Sequence, residues 1–234
     1  MARQPAINGH RSTFWQGTRP ARHVRHEKAA NGPKMHIMTG LSASHPASRG
    51  MPDGCRGMFA AADVCYLPSG GARAAAVVGG DTAFSAVQAE WTVLVPEVLP
   101  YRPGEFFLRE LPPLRAVLAG VRDLGLLVID GYVDLDPGGR PGLGAHVHAA
   151  FGVPVIGVAK IRFRTASHAA EVLRGSSAWP LFVTAAGMPL AQAANLVRRM
   201  AGPFRLPDAL RRVDALARTG HITLTQPVRE ASDQ

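Results

Sequence analysis

The sequence is poor in cysteine and lacks any long hydrophobic run. Its 234 residues contain two cysteines, Cys55 and Cys65, and no Cys-x-x-Cys pair or Cys/His spacing of a zinc site. Two cysteines so close in sequence do not make a disulfide framework, so we expect a reduced, cytoplasmic protein. No apolar stretch approaches the ~20 residues that a membrane-spanning helix requires. We therefore expect no membrane partner.

Lysine is nearly absent from the second part of the chain. Residues 57–234 hold sixteen arginines and one lysine, Lys160, at the end of the apolar run Val155–Ala159. Lysine presents a compact ammonium group where arginine presents a planar fork. A single lysine in such a chain indicates a site that holds a phosphate or a water, with chance as the alternative.

Most of the positive charge lies in the N-terminal segment. Residues 1–56 contain nine Lys and Arg against two acidic residues, which accounts for +7 of the net charge of +9. This segment has no hydrophobic periodicity, and we expect it to be disordered. Three interpretations of this segment stay open: a targeting peptide, a start codon assigned too far upstream, and an arm that binds nucleic acid. The high pI is thus weak evidence that the remaining chain binds phosphate.

The rest of the sequence indicates one α/β domain over residues 57–220, expected to be a monomer, and a C-terminal tail at 221–234. Three strands separated by turn residues come first, then a helix, then strands that alternate with helices. We expect Pro112 and Pro113 to restart or kink the first helix. The patterns predict strands at 58–66, 72–78, 83–95, 126–130, 153–158 and 181–184, helices at 106–120, 143–151, 190–200 and 207–217, and a stretch at 169–174 that could be helical.

This order of elements is that of a ribonuclease H-like α/β fold, a mixed sheet flanked by helices. In that layout the first and fourth strands are neighbours, which places Asp63 beside Asp130. Asp130 ends the apolar run 126–129, and Asp63 lies inside an apolar strand, where an unpaired charge is costly. Each acid could instead face solvent at the end of its strand.

A third acid, Glu110 beside the first helix, could reach the same edge of the sheet, although alone it would be an ordinary surface residue. Three converging carboxylates repel one another unless cations lie between them. Mg²⁺ and Mn²⁺ are the ions that prefer such oxygen ligands. The three acids therefore predict a magnesium site, with manganese as the alternative.

Two loops carry weaker signals. The glycine-rich stretch 138–144 precedes a helix, an arrangement that can cradle a phosphate, but no Gly-Lys-Ser/Thr follows it and an ordinary loop is favoured. His146 and His148 lie two residues apart on that helix, so only one of them can face the site. Tyr101, in a proline-rich turn, could stack on bases or pack on the core.

Taken together, these segments resemble the endonuclease V family, enzymes similar to ribonuclease H in fold that cut nucleic acid near deaminated adenine. Each matching motif is short, but their order and spacing are shared over about residues 57–218. The matches are Asp-Val-Cys-Tyr at 63–66, Pro-Tyr-Arg-Pro-Gly at 100–104, Arg-Glu-Leu-Pro at 109–112, Ile-Asp-Gly at 129–131, Pro-Val-Ile-Gly-Val-Ala-Lys at 154–160 and Pro-Leu-Phe-Val at 180–183.

The resemblance implies a metal-dependent endonuclease that cuts DNA or RNA at the second phosphodiester bond 3′ to inosine or deoxyinosine. It implies that Lys160 assists near the phosphate and that Tyr101 belongs to a wedge that separates strands. The implied metal ligands are Asp63, Glu110 and Asp130, with Asp214 at a late position near the metal. We expect the nucleic-acid contacts to be Tyr101, Arg102, Pro103, Gly104, Gly131 and His146.

Two positions depart from the family pattern. Where the family usually has histidines after its Asp-Gly pair, this chain has Tyr132 and Asp136. The change removes two imidazoles that could contact phosphate or water. Two alternatives therefore stay open: a nuclease of the same fold with another lesion or structure as its target, and a nucleic-acid binding protein without catalysis.

Overall fold

A computed structural model describes residues 57–220 and the two-residue strand Met35–His36. Apart from that strand, the segment 1–56, which we expect to be disordered, lies outside the described residues. So does the predicted tail at 221–234. Within the described part, none of the helices combines the length and the apolar character needed to cross a membrane.

The described residues form one mixed sheet of eight strands with helices on both faces. The strands are β1 (Met35–His36), β2 (Met58–Tyr66), β3 (Ala72–Gly79), β4 (Val87–Val95), β5 (Leu124–Asp130), β6 (Val155–Ala159), β7 (Ala170–Val172) and β8 (Leu181–Ala186), and the helices are α1 (Phe106–Leu118), α2 (Leu143–Phe151), α3 (Leu190–Arg199) and α4 (Asp208–Thr219). The strand order across the sheet is β1-β4-β3-β2-β5-β6-β8-β7, so the predicted antiparallel meander β2-β3-β4 is confirmed.

The central strands are buried on both faces because their residues alternate between two hydrophobic cores. In β2, Phe59 and Ala61 pack with residues of α3 and α4, whereas Ala60 and Ala62 pack with residues of α1 and α2. By the same alternation Asp63 continues the face covered by α3 and α4.

Parallel pairing of β2 with β5 determines where the acids lie. Ala62 is opposite Ile129, so Asp63 and Asp130 follow side by side at the carboxyl ends of the two strands. Strand β6 is also parallel to β5, and it places Lys160 at this edge. The predicted neighbourhood of the first and fourth strands of the domain is confirmed.

Two predicted elements are wrong. Strand β4 begins at Val87 rather than at residue 83, because the Asp81 carboxylate accepts hydrogen bonds from the backbone amides of Ala83 and Ser85 and closes a turn there. The possible helix at 169–174 is the short edge strand β7, which pairs antiparallel with β8 and buries Val172 in the core.

The first helix is continuous through both prolines. We expected the helix either to restart or to kink at Pro112 and Pro113. A restart is excluded, because α1 runs from Phe106 to Leu118 and contains both prolines. Proline lacks an amide proton, so the carbonyl groups one turn earlier, at Leu108 and Arg109, receive no helical hydrogen bond from these residues.

A buried arginine holds the segment between α3 and α4. Arg174 is 6% exposed, and its guanidinium donates to the carbonyl oxygens of Phe204 at 2.9 Å and Gly202 at 3.1 Å, and also to that of Met200. Five donors in a rigid plane suit such a ring of carbonyls. This single side chain therefore satisfies much of the backbone of a loop that has no regular structure.

Replacing Arg174 with methionine keeps the apolar stem and removes every donor. We expect the free energy of unfolding in urea to fall by about 3 kcal/mol, because several carbonyl groups around this buried side chain lose their donor together. Arg115→Met on the exposed side of α1 is the matched control and should change it by less than about 0.5 kcal/mol. Equal effects of the two substitutions would contradict this role for Arg174.

Candidate active site

Asp63 lies near the carboxyl end of β2 in a half-buried position. Its Oδ1 accepts a hydrogen bond of 2.9 Å from the amide of Val64. Burial raises the pKa of Asp63 to about 6; the hydrogen bond opposes the rise, and the charges of Asp130 and Asp214 add to it. A carboxylate held in this way gains from any cation that comes to lie near it.

Asp130 and Lys160 form an ion pair across neighbouring strands, with 2.6 Å between Oδ2 and Nζ. Burial alone would lower the pKa of Lys160, but the hydrogen bond and charge of Asp130, with Asp214 and Asp63 further away, raise it. Asp63 and Asp130 mark one edge of the sheet, which we call the acidic edge. The lone lysine of the domain thus supplies a positive charge there. Both side chains remain about one third exposed, so solvent and ligands can reach the pair.

Glu110 approaches the edge from α1 and is 5% exposed. Its Oε1 accepts a hydrogen bond of 2.6 Å from the hydroxyl of Tyr66, the last residue of β2. Burial raises the pKa of Glu110 to about 7, and the negative charges of Asp63 and Asp130 raise it further, while Tyr66 and Arg109 oppose the rise. The third predicted acid therefore shares the electrostatic field of the other two.

Tyr66 and Arg109 are site residues to which the sequence analysis gave no role. The guanidinium of Arg109 lies over the Tyr66 ring, 3.7 Å from its centroid, and so holds the ring against Glu110. The signal was present, since Tyr66 ends the Asp-Val-Cys-Tyr motif and shares the strand face of Val64, toward α1. The burial and the hydrogen bond of Tyr66 raise its pKa, so it acts as a donor to Glu110.

Comparison with known proteins gives the family of the chain. Residues 47–187 match the family model described as Endonuclease V. The chain belongs to the endonuclease V family. It is 33% identical to the endonuclease V of Streptomyces coelicolor over 190 residues, which cover 72% of this chain and 81% of that protein. The endonuclease V of Azotobacter vinelandii is 33% identical over 183 residues, covering 69% and 82% of the two chains.

Solved endonuclease V structures share the fold. The crystal structure from Streptomyces avermitilis has a TM-score of 0.61 and 29% identity over 72% of this chain and 83% of that one. The Ciona intestinalis enzyme, crystallised with a 23-mer DNA containing an inosine followed by a ribo-adenosine, has a TM-score of 0.60 and 19% identity over 70% and 84% of the chains. The predicted ribonuclease H-like fold is thus confirmed, and the protein is a nuclease by family.

Asp214, the fourth acid that the endonuclease V pattern suggests, lies on α4. Both of its carboxylate oxygens accept hydrogen bonds of 3.0 Å from Arg218, one helical turn further on. Its charge still acts on Asp63 and on Lys160. Asp214 therefore belongs to the field of the acidic edge, while its oxygen atoms are engaged by its own helix.

The turn before α1 presents the residues expected to separate strands. Tyr101 is 59% exposed and touches Phe106 edge to face, with 6.5 Å between ring centroids, so it does not pack in the core. Arg102 is exposed and pairs with Glu105 at 3.5 Å. Pro103 and Gly104 complete the turn, where Gly104 has a φ of 82° and leaves open space around its Cα.

The histidines of α2 have other partners. His146 stacks on Phe107 with 3.5 Å between ring centroids, burial lowers its pKa, and it forms no ion pair within residues 57–220. The Nδ1 of His148 lies 2.7 Å from the carbonyl oxygen of Val153, a structural contact. Gly131, with a φ of 136°, follows Asp130 and donates its amide to Val158 at 3.1 Å. Nucleic-acid roles for His146 and Gly131 stay predictions.

The glycine-rich loop does not offer its amides to a phosphate. Gly142 and Gly144 donate their backbone N–H groups to the carbonyl oxygens of Val133 and Tyr132, at 2.7 and 3.0 Å. The amides at the start of α2 are therefore used within the protein, which supports the simpler interpretation of this stretch as a loop.

The two residues that depart from the family pattern have structural roles. The hydroxyl of Tyr132 donates to the carbonyl of Ile161 at 2.8 Å and accepts from the amide of Phe163 at 2.9 Å. Asp136 accepts hydrogen bonds of 3.1 Å from the backbone and side chain of Arg140. Tyr132 thereby fixes the backbone just after Lys160.

The donor chemistry of the acidic edge fits a hard divalent cation. Asp63, Glu110 and Asp130 supply six carboxylate oxygens whose mutual repulsion such an ion would relieve. Each acid instead contacts a different protein donor, and among the described residues no three acidic, histidine or cysteine side chains are grouped as a ready-made ion site. Metal binding by these acids, with Asp214 nearby, stays a prediction.

Removing the hydroxyl of Tyr66 tests the support of Glu110. We expect Tyr66→Phe to lower the free energy of unfolding by about 1 kcal/mol, because a buried carboxyl oxygen loses its donor while the ring keeps its contact with Arg109. Tyr101→Phe, which removes a hydroxyl from an exposed ring, should leave stability unchanged in the same urea titration. An unchanged midpoint for both proteins would contradict the contribution of this hydrogen bond.

Proposed function

We propose that the protein is a metal-dependent endonuclease that hydrolyses a phosphodiester bond 3′ to inosine or deoxyinosine. The observation that carries this proposal is the side-by-side placement of Asp63 and Asp130 next to Lys160, with Glu110 in the same field. Membership of the endonuclease V family supports it. We further propose that it acts as a monomer in the cytoplasm, with nucleic acid as its partner.

The residues proposed to hold Mg²⁺, or Mn²⁺, are Asp63, Glu110 and Asp130, with Asp214 nearby. A bound divalent ion supplies an activated water and stabilises the charge on the leaving oxygen. Asp130 would hold the ion with the carboxylate that now contacts Lys160, and Glu110 would hold it with the oxygen that does not accept from Tyr66. The ammonium group of Lys160 is then available to a phosphate oxygen of the strand.

Substrate position depends on the turn before α1 and on the edge itself. The exposure of the Tyr101 ring, in one turn with Arg102, Pro103 and Gly104, supports the proposal that it wedges between bases. Gly131 has no side chain to block a strand that passes Asp130. The Ciona enzyme was crystallised with inosine-containing DNA, which supports inosine as the recognised base here.

A second candidate keeps the chemistry and changes the target. Tyr132 and Asp136 replace histidines of the family pattern, and both are used for internal hydrogen bonds. A nuclease that recognises flaps, mismatches or abasic sites would be compatible with this change. A binding protein without catalysis is less compatible, because three acids and Lys160 are all in place.

Cleavage of matched strands tests the proposed function. Inosine-containing and adenosine-containing strands, each as DNA and as RNA, are incubated with Mg²⁺, Mn²⁺ or a chelator. We expect metal-dependent cutting at the second bond 3′ to inosine and a 5′-phosphate on the product. Metal-dependent cutting that ignores inosine would favour the second candidate, and no cutting of any strand under any condition would refute nuclease activity.

The substitution Asp130→Asn tests whether Asp130 is required for cleavage while the fold is kept. We expect the variant to lose nearly all cleavage, because one charge of the proposed ion site is gone. Stability without metal should change by less than about 1 kcal/mol, since the ion pair with Lys160 is partly exposed and weak. Asp208→Asn, at the exposed start of α4, is the control for activity. Wild-type cleavage by Asp130→Asn would remove this residue from the mechanism.

A further inference from the structure

A groove adjoins the acidic edge and has no role in the site described above. Its volume is about 510 Å³. We call it the Trp179 groove, and its main lining residues are Lys160, Ile161, Arg162, Trp179, Phe182 and Arg205.

Strand topology places this groove at the same edge of the sheet as the acids. Strand β8 is antiparallel to β6, and Ala159 is opposite Phe182, so the residues just before β8 lie next to Lys160. Lys160 therefore contributes its ammonium group to the ion pair with Asp130 and also lines the groove. Lys160 is therefore the point at which a strand bound across the acidic edge would meet the groove.

Two large apolar side chains flank the groove and are left in solvent. Trp179 is 75% exposed and Ile161 is 81% exposed. The tryptophan is not on an unrestrained loop, because Ser177 Oγ both accepts from its amide and donates to its carbonyl, each at 3.2 Å, and Pro180 follows it. An exposed indole held on a rigid backbone offers a flat stacking surface.

The groove is positively charged. Lys160, Arg162 and Arg205 line it together with one acidic residue, Glu171, which pairs with Arg162. The guanidinium of Arg162 also lies over the Phe182 ring, 4.9 Å from its centroid. Arg205 ties the two walls together, since its Nη2 donates to the carbonyl oxygens of both Lys160 and Pro180. Cations beside an exposed aromatic ring are the combination that binds single-stranded nucleic acid.

We propose that the Trp179 groove is a second binding site for the nucleic-acid strand: a base stacks on Trp179, and adjacent phosphates contact Arg162 and Lys160. The proposal rests on the proposed function, because it extends the same strand beyond the acids. Continuity through Lys160 and the charge of the groove favour this occupant over an apolar partner surface.

Binding of a single-stranded, inosine-containing oligonucleotide in the presence of a chelator tests the groove without cleavage. We expect Trp179→Ala to raise the Kd roughly tenfold, because stacking of one base is lost. Trp179→Phe keeps an aromatic face and should stay within about threefold of wild type. Leu94→Ala removes another exposed apolar side chain, on β4, which β3, β2, β5 and β6 separate from β8, and should have no effect.

Tryptophan fluorescence gives a second measurement, which detects stacking on Trp179 directly rather than through a change in stability. Stacking should quench the emission of Trp179, so the oligonucleotide is expected to quench wild type more than Trp179→Phe at equal saturation. The Kd effect of Trp179→Ala should also disappear when the oligonucleotide is shortened, from one end, until it no longer reaches the groove.

The outcomes separate the groove from the proposed function. Cutting by wild type with no change of Kd or quenching in the Trp179 variants would overturn the groove proposal alone. Absence of cutting by wild type would refute the proposed function, while the binding assay would still test the groove. A dimer in sedimentation that Trp179→Ala dissociates would show that a second copy of this chain covers the groove, and would overturn the proposal.

Discussion

The parallel pairing of β2 with β5 is the constraint on which the site depends. It brings Asp63 and Asp130 to one edge of the sheet, on the face that α4 covers. Burial and like charge then oppose ionisation of Asp63, and the same field reaches Glu110. A fold that places acids together in this way must compensate their charge locally, and the surrounding residues follow from that requirement.

The compensation is divided among three separate donors. Lys160 neutralises Asp130, the Tyr66 hydroxyl donates to Glu110, and the amide of Val64 donates to Asp63. Because each donor serves one acid, the edge is stable without the three carboxylates closing around a single point. The backbone positions of the three acids are determined by the sheet and by α1.

Element order alone was sufficient to predict that Asp63 and Asp130 are neighbours, because strand pairing in an α/β sheet follows from topology. The order of the elements could not predict contacts that depend on side-chain direction or on the path of a loop. Tyr66 reaches Glu110 only because α1 covers that face, and the loop carbonyl groups that accept from Arg174 lie 26 to 31 residues away in sequence. The edge strand β7 was missed because three residues with one buried side chain carry too little periodicity to separate strand from helix.

The departures from the family pattern and the Trp179 groove are parts of one physical unit. Tyr132 holds the backbone at Ile161 and Phe163, and Thr165 joins the same segment to the loop of Asp136 through hydrogen bonds with Leu135 and Arg140. This segment begins at Lys160 and presents Ile161 and Arg162 to the groove. The phenol and the carboxylate that stand in place of histidines therefore fix the orientation of a surface beside the acids.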